Sequence, residues 1–123
     1  MSIFQAVVIV SVAWISLLAL NISRLRLREQ VGIGDGGRLA LKKAIRAHIN
    51  ALEHTLPFCL IFLVLALQSA SETTMCIIAV VFFVSRLAHA LSFLNGSTPI
   101  RQASALLTYL SILFSVVYAA LLW

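Results

Sequence analysis

The sequence predicts an all-α fold, an integral membrane four-helix bundle, on three observations. First, 62% of its 123 residues are hydrophobic and only 11% charged, and the mean hydropathy is +1.06. A soluble domain of this length could not hide that much apolar surface beneath the polar exterior it needs. Second, four apolar runs, at about 3–22, 47–69, 74–94 and 103–123, each reach the ~20 residues that a helix needs to cross a bilayer. Third, the basic residues are segregated. Arg24, Arg26, Arg28, Arg38, Lys42, Lys43 and Arg46 crowd between the first two runs, and Arg101 follows the third.

The first run lacks a charged n-region and a cleavage site after its apolar stretch, and so reads as a retained span rather than a signal peptide. Its helix should continue for a turn or two past Ile22 into Arg24-Leu25-Arg26-Leu27-Arg28, whose guanidinium groups suit the headgroup zone. Val31 to Gly37 is a glycine-rich turn. It has neither the lysine nor the hydroxyl residue of a phosphate-binding loop, and no strand precedes it.

The second helix is expected from Leu39 to about Ser69, with Pro57 removing one of its backbone hydrogen bonds and kinking it. Ser69 to Thr73 is a short polar link. The third span runs from Thr74 to Leu94, and Asn95-Gly96-Ser97-Thr98-Pro99 forms a turn. Ile100-Arg101-Gln102 then leads into the fourth span, which runs to Trp123. Residues 1–123 read as one domain without linker or repeat.

The charge distribution fixes partners and orientation. A net charge of +5 would suggest nucleic acid for a soluble chain. Here the basic residues sit in loops between spans, so they orient the protein in its membrane, and no nucleic-acid partner is expected. The positive-inside rule places both basic loops in the cytoplasm and both termini outside it. Cys59 and Cys76 fall about 16 Å apart in depth, beyond disulfide reach. No spacing suits a metal.

The functional signal is polar residues where hydrocarbon should be. At about 100° per residue, Arg46, Asn50, Glu53 and Pro57 share one face of the second helix. Polar groups at membrane depth cost several kcal/mol each unless they meet partners or water. Glu53 lies roughly 15 Å inward from Lys43, and Arg86 roughly 12 Å from the same end of its own span. Their matched depth predicts a buried Glu53–Arg86 pair. Arg86, His89 and Phe93 share a face of the third helix. Two full charges, an amide and imidazoles exceed what helix–helix adhesion requires. His48 and His54, off or beside the Arg46 face, read as ordinary helix residues.

The pattern Arg46-x-His48-x-Asn50-x-x-Glu53-x-x-x-Pro57 ahead of an apolar run resembles the MAPEG family, membrane-associated proteins in eicosanoid and glutathione metabolism. The resemblance extends to Arg86-x-x-His89 in the third span and Pro99-Ile100-Arg101 opening the fourth. Gly34-Asp35-Gly36-Gly37 looks like the bacterial branch, which implies a bacterial inner membrane.

The resemblance implies a homotrimer that binds glutathione between neighbouring subunits as co-substrate, near the cytoplasmic side. Arg26, Arg46, Asn50, Glu53, Arg86 and His89 would hold glutathione, and Arg101 would stabilise its thiolate as the catalytic residue. Arginine forks suit the two carboxylates of glutathione, and a guanidinium beside a thiol favours the thiolate.

The implied activity is a membrane glutathione transferase or peroxidase acting on a hydrophobic electrophile or lipid hydroperoxide that enters from the bilayer. The alternatives are a non-catalytic lipid-binding scaffold on the same fold and a small proton-coupled exporter using Glu53. Departures from the family pattern are Ile49 in place of a further arginine, Phe93 in place of a tyrosine, and Gln102 and Ala105 in place of a serine and a tyrosine.

Overall fold

The computed structural model describes residues 2–123, apart from the side chains at positions 94 and 95. Met1 lies outside the described residues. Four helices follow in order: α1 (Ile3–Glu29), α2 (Leu39–Leu67), α3 (Glu72–Asn95) and α4 (Thr98–Leu121). All four are long and apolar enough to cross a membrane. Their outward faces carry Ile9, Leu60, Ile77 and Leu113, each more than half exposed within the single subunit. Exposed apolar residues on all four helices suit a hydrocarbon solvent, not water.

The helix ends follow from local chemistry. Ser2 caps α1 through a capping box with Gln5, and Gln30 closes it in a left-handed conformation at φ 54°. As expected, α1 carries its helix past the apolar run, through the arginines to Glu29. Gly36, at φ +55°, shapes the connection to α2. A Cβ there would come within 2.6 Å of the Val31 side chain, so a side chain is disfavoured twice over. Pro57 sits inside α2 without ending it. Lacking an N–H, it leaves the Glu53 carbonyl without its partner four residues on. α4 begins at Thr98, inside the expected turn, because Pro99 is pre-shaped for the first helical turn.

α1 packs on α2 and α3 packs on α4, each a neighbouring antiparallel pair, and α2 bridges them by touching both α3 and α4. The apolar core lies toward the end that carries the α2–α3 link. Phe58 and Phe82 stack there with ring centroids 3.7 Å apart, backed by Phe62, Leu65 and Met75. Cys59 and Cys76 are free, and Cys59 donates to the Ser11 hydroxyl at 3.3 Å. With the apolar core at that end, the buried Arg86, His89, Ser104 and Thr108 and the half-buried Asn50 gather in the other half of the bundle.

Candidate functional site

A cleft of about 240 Å³ opens at the basic end between α2, α3 and α4. Its walls are Arg46, Ile49, Asn50 and Glu53 from α2, Phe93 from α3 and Arg101 from α4. The α2 residues reach it because positions 46, 50 and 53 are spaced by four and three and so stack along one helical face. Arg101 arrives from the first turn of α4 and sits 5.7 Å from the Phe93 ring centroid, within cation–π range.

Behind the cleft lies a buried polar network. Arg86 is only 2% exposed and donates through Nη2 to the Asn50 side-chain oxygen and through Nη1 to the Thr108 hydroxyl at 3.3 Å. Its Nε has no partner. The Thr108 and Ser85 hydroxyls lie 3.0 Å apart across the α3–α4 seam. His89, also buried, places Nδ1 3.2 Å from both the Arg101 carbonyl and the Ser104 hydroxyl. With its proton on Nδ1, His89 donates to that carbonyl and ties α3 to the turn that carries Arg101. The His89 ring also meets Phe93 edge-on, at 5.4 Å between centroids.

The expected Glu53–Arg86 pair does not form. The ion pairs among the described residues are Arg28–Glu29 and Arg38–Glu29. Arg86 instead meets Asn50, about one turn from Glu53 on α2. Positions 50 and 53 differ by about 60° around the helix. That rotation leaves Asn50 half-buried against Arg86 and Glu53 exposed toward the cleft. A neutral amide and a hydroxyl, not a carboxylate, solvate the buried guanidinium.

Arg46, Asn50, Glu53 and Arg101 therefore meet in one place, with Arg86 and His89 one layer behind. Arg26 is not among the cleft residues. Its Nη1 donates to the Gly32 carbonyl at 2.8 Å and braces the loop after α1. His54 is held locally, with Nδ1 2.8 Å from the Asn50 carbonyl and its ring 5.3 Å from that of Tyr109. Among the described residues no cluster of His, Cys, Asp or Glu could hold a metal.

Ser85, Ser104 and Thr108 complete this network and are not among the residues that the sequence singled out. A signal for the α4 pair was present: Ser104, Thr108, Ser111 and Ser115 recur at spacings of four, three and four, a buried polar stripe on an otherwise apolar helix.

Comparison with known proteins agrees with this architecture. The profile of the MAPEG family matches residues 4–121. The chain is 32% identical over 104 residues to the inner membrane protein YecN of Escherichia coli K12, which covers 84% of this chain and 77% of that protein. The YecN protein of E. coli O6:H1 strain CFT073 matches to the same extent.

Proposed function

The chain belongs to the MAPEG family, and from that premise we propose that it is a membrane-bound glutathione transferase or peroxidase, working as a homotrimer in a bacterial inner membrane. One observation carries the reading most. Arg46, Asn50, Glu53 and Arg101, from two helices far apart in sequence, line a single cleft at the basic end. A tripeptide with two carboxylates, an amino group and a thiol needs that mixture of cations, carboxylate and amide.

In this reading Glu53 receives the amino group of glutathione and Asn50 a peptide group. Arg46 takes a carboxylate, and Arg101 faces the sulfur. Glutathione lies between subunits, and Arg26, outside its own subunit's cleft, serves the neighbour's. Arg86 and His89, too buried to touch the tripeptide first, act as positioning residues. Arg86 orients Asn50, and His89 holds the turn that bears Arg101.

The Arg101 guanidinium favours the thiolate, the nucleophilic form. In transfer, sulfur bonds to an electrophilic carbon while the leaving group departs with the bond's electron pair. With a lipid hydroperoxide, sulfur attacks the terminal oxygen and the O–O bond breaks. The lipid alcohol departs, and a second glutathione resolves the sulfenic acid to disulfide and water. The hydrophobic partner arrives from the surrounding lipid.

The exporter alternative regains an unpaired carboxylate, since Glu53 forms no ion pair among the described residues. Arg46 and Arg101 in the same cleft would still repel a cationic cargo.

The test is ultraviolet difference absorbance on adding glutathione to purified protein in detergent, with binding followed by calorimetry. Saturable binding with a thiolate band is expected. Absence of both would remove the enzymatic reading and leave the lipid-binding scaffold.

A further inference from the structure

A larger cavity, of about 690 Å³, lies on the other side of Phe93, between α1, α2 and α3. Its volume is in the range of ligand sites. The shaft is apolar, walled by Trp14 and Leu18 of α1, Ala44 and Ala47 of α2, and Leu87 and Leu91 of α3. Spacings of four on α1 and α3 and of three on α2 bring one stripe from each to the same space. The alanines on α2 create the room, because a longer side chain at 44 would occupy it.

Only the mouth is charged. Arg24 and Lys43 line it, no acidic residue does, and the Asn21 side-chain oxygen accepts a hydrogen bond from Arg24 at 3.2 Å, steadying the guanidinium.

Depth identifies the occupant. Trp14 and Arg24 are ten helical residues apart, about 15 Å along α1. That is half of the ~30 Å hydrocarbon core of a bilayer. The cavity thus runs from the headgroup level to the middle of the membrane, the depth of one leaflet. Two uncompensated cations at its mouth select a ligand whose head is negative. We propose that this cavity is a binding site for an acyl chain of an anionic phospholipid, with the headgroup phosphate held by Arg24 and Lys43. The site is separate from the polar cleft and does not depend on glutathione binding there.

The experiment uses the full chain with Trp123→Phe, which leaves Trp14 as the single tryptophan. The protein is reconstituted in phosphatidylcholine vesicles containing either phosphatidylglycerol or phosphatidylcholine with brominated chains, at equal mole fraction. Bromine quenches tryptophan on contact. An approximately fivefold preference for the brominated phosphatidylglycerol is expected, about what one basic contact supplies near a membrane surface. Arg24→Gln with Lys43→Gln should abolish the preference, and Ala44→Phe should weaken quenching by both lipids. Equal quenching by the two lipids in the parent protein means ordinary surrounding lipid and overturns the proposal. No quenching by either means that protein, such as a second copy of the chain, covers the cavity, and overturns it equally. The parent protein alone decides the outcome, whether or not the variants fold.

Discussion

Phe93 stands in the wall of two chambers built on opposite principles. On one side, the cleft is small and defined by the side chains that project into it: Arg46, Asn50, Glu53 and Arg101. On the other, the cavity is nearly three times larger and defined by side chains that are missing, above all at Ala44 and Ala47. The same helix, α2, supplies both. Its face at 46, 50 and 53 carries the chemistry, and its face at 40, 44 and 47 is pared down to methyl groups. Polar recognition needs groups held at fixed positions by neighbours. Apolar recognition needs shape, and small residues provide it. The two chambers should therefore respond differently to substitution.

The largest effect should come from the cleft. Arg101→Leu is expected to lower conjugating activity by about 10²–10³-fold, the cost of losing one preorganised charge-stabilising group. Glutathione binding should fall much less, because the remaining contacts persist. Steady-state kinetics beside calorimetry separate the two quantities, and full activity in the variant would end the proposed mechanism.

Next comes the layer behind the cleft. Asn50→Leu should destabilise the protein by about 2–3 kcal/mol, because it strips a hydrogen bond from a buried charged group. In a double-mutant cycle, Asn50 and Arg86 should couple by about 1–3 kcal/mol, and Glu53 and Arg86 by less than about 0.5 kcal/mol. Unfolding in mixed detergent measures both. Coupling through Glu53 instead would restore the ion pair and refute the network described above.

The shared wall should show an intermediate response. Phe93→Leu keeps an apolar partition but removes the ring beneath Arg101, worth about 0.5–2 kcal/mol. Weakening of glutathione binding by several-fold, with the helical content retained in circular dichroism, is the expected outcome. The smallest effect belongs to the cavity. Ala44→Leu places an apolar group in open space and should change stability by less than about 1 kcal/mol. Glutathione binding should be unchanged. A large loss of binding there would mean that the two chambers work as one.

The sequence made the frame readable because the bilayer imposes strong rules. Span length, one-sided charge and apolar runs each follow from hydrocarbon thickness or from unsatisfied backbone groups. It also made the face at 46, 50 and 53 readable, since helical periodicity is simple arithmetic. The partner of Arg86 was not readable. Depth along two helices can be counted in residues, but rotation about each helix axis is set by packing. A rotation of some 60° decides whether Asn50 or Glu53 looks inward. The large cavity was equally hidden. Alanines at 40, 44 and 47 share one face of α2, but the sequence gives no sign of whether a neighbour closes over them.

The hydroxyl stripe on α4 bears on how the protein is made. Thr108, Ser111 and Ser115 each donate to the carbonyl four residues back, and Ser104 to the one three back. Those polar groups are satisfied within α4 itself, so this helix can enter the lipid alone at little penalty. α3 cannot do the same. Arg86 sits mid-helix, where the cost of lipid exposure is about 2.5–3.5 kcal/mol by insertion scales. Two of its nitrogens find relief only on α2 and α4. Packing against α2 and α4 removes that cost, because Asn50 and Thr108 receive the guanidinium. The group placed behind the cleft therefore also ties α3 to its neighbours.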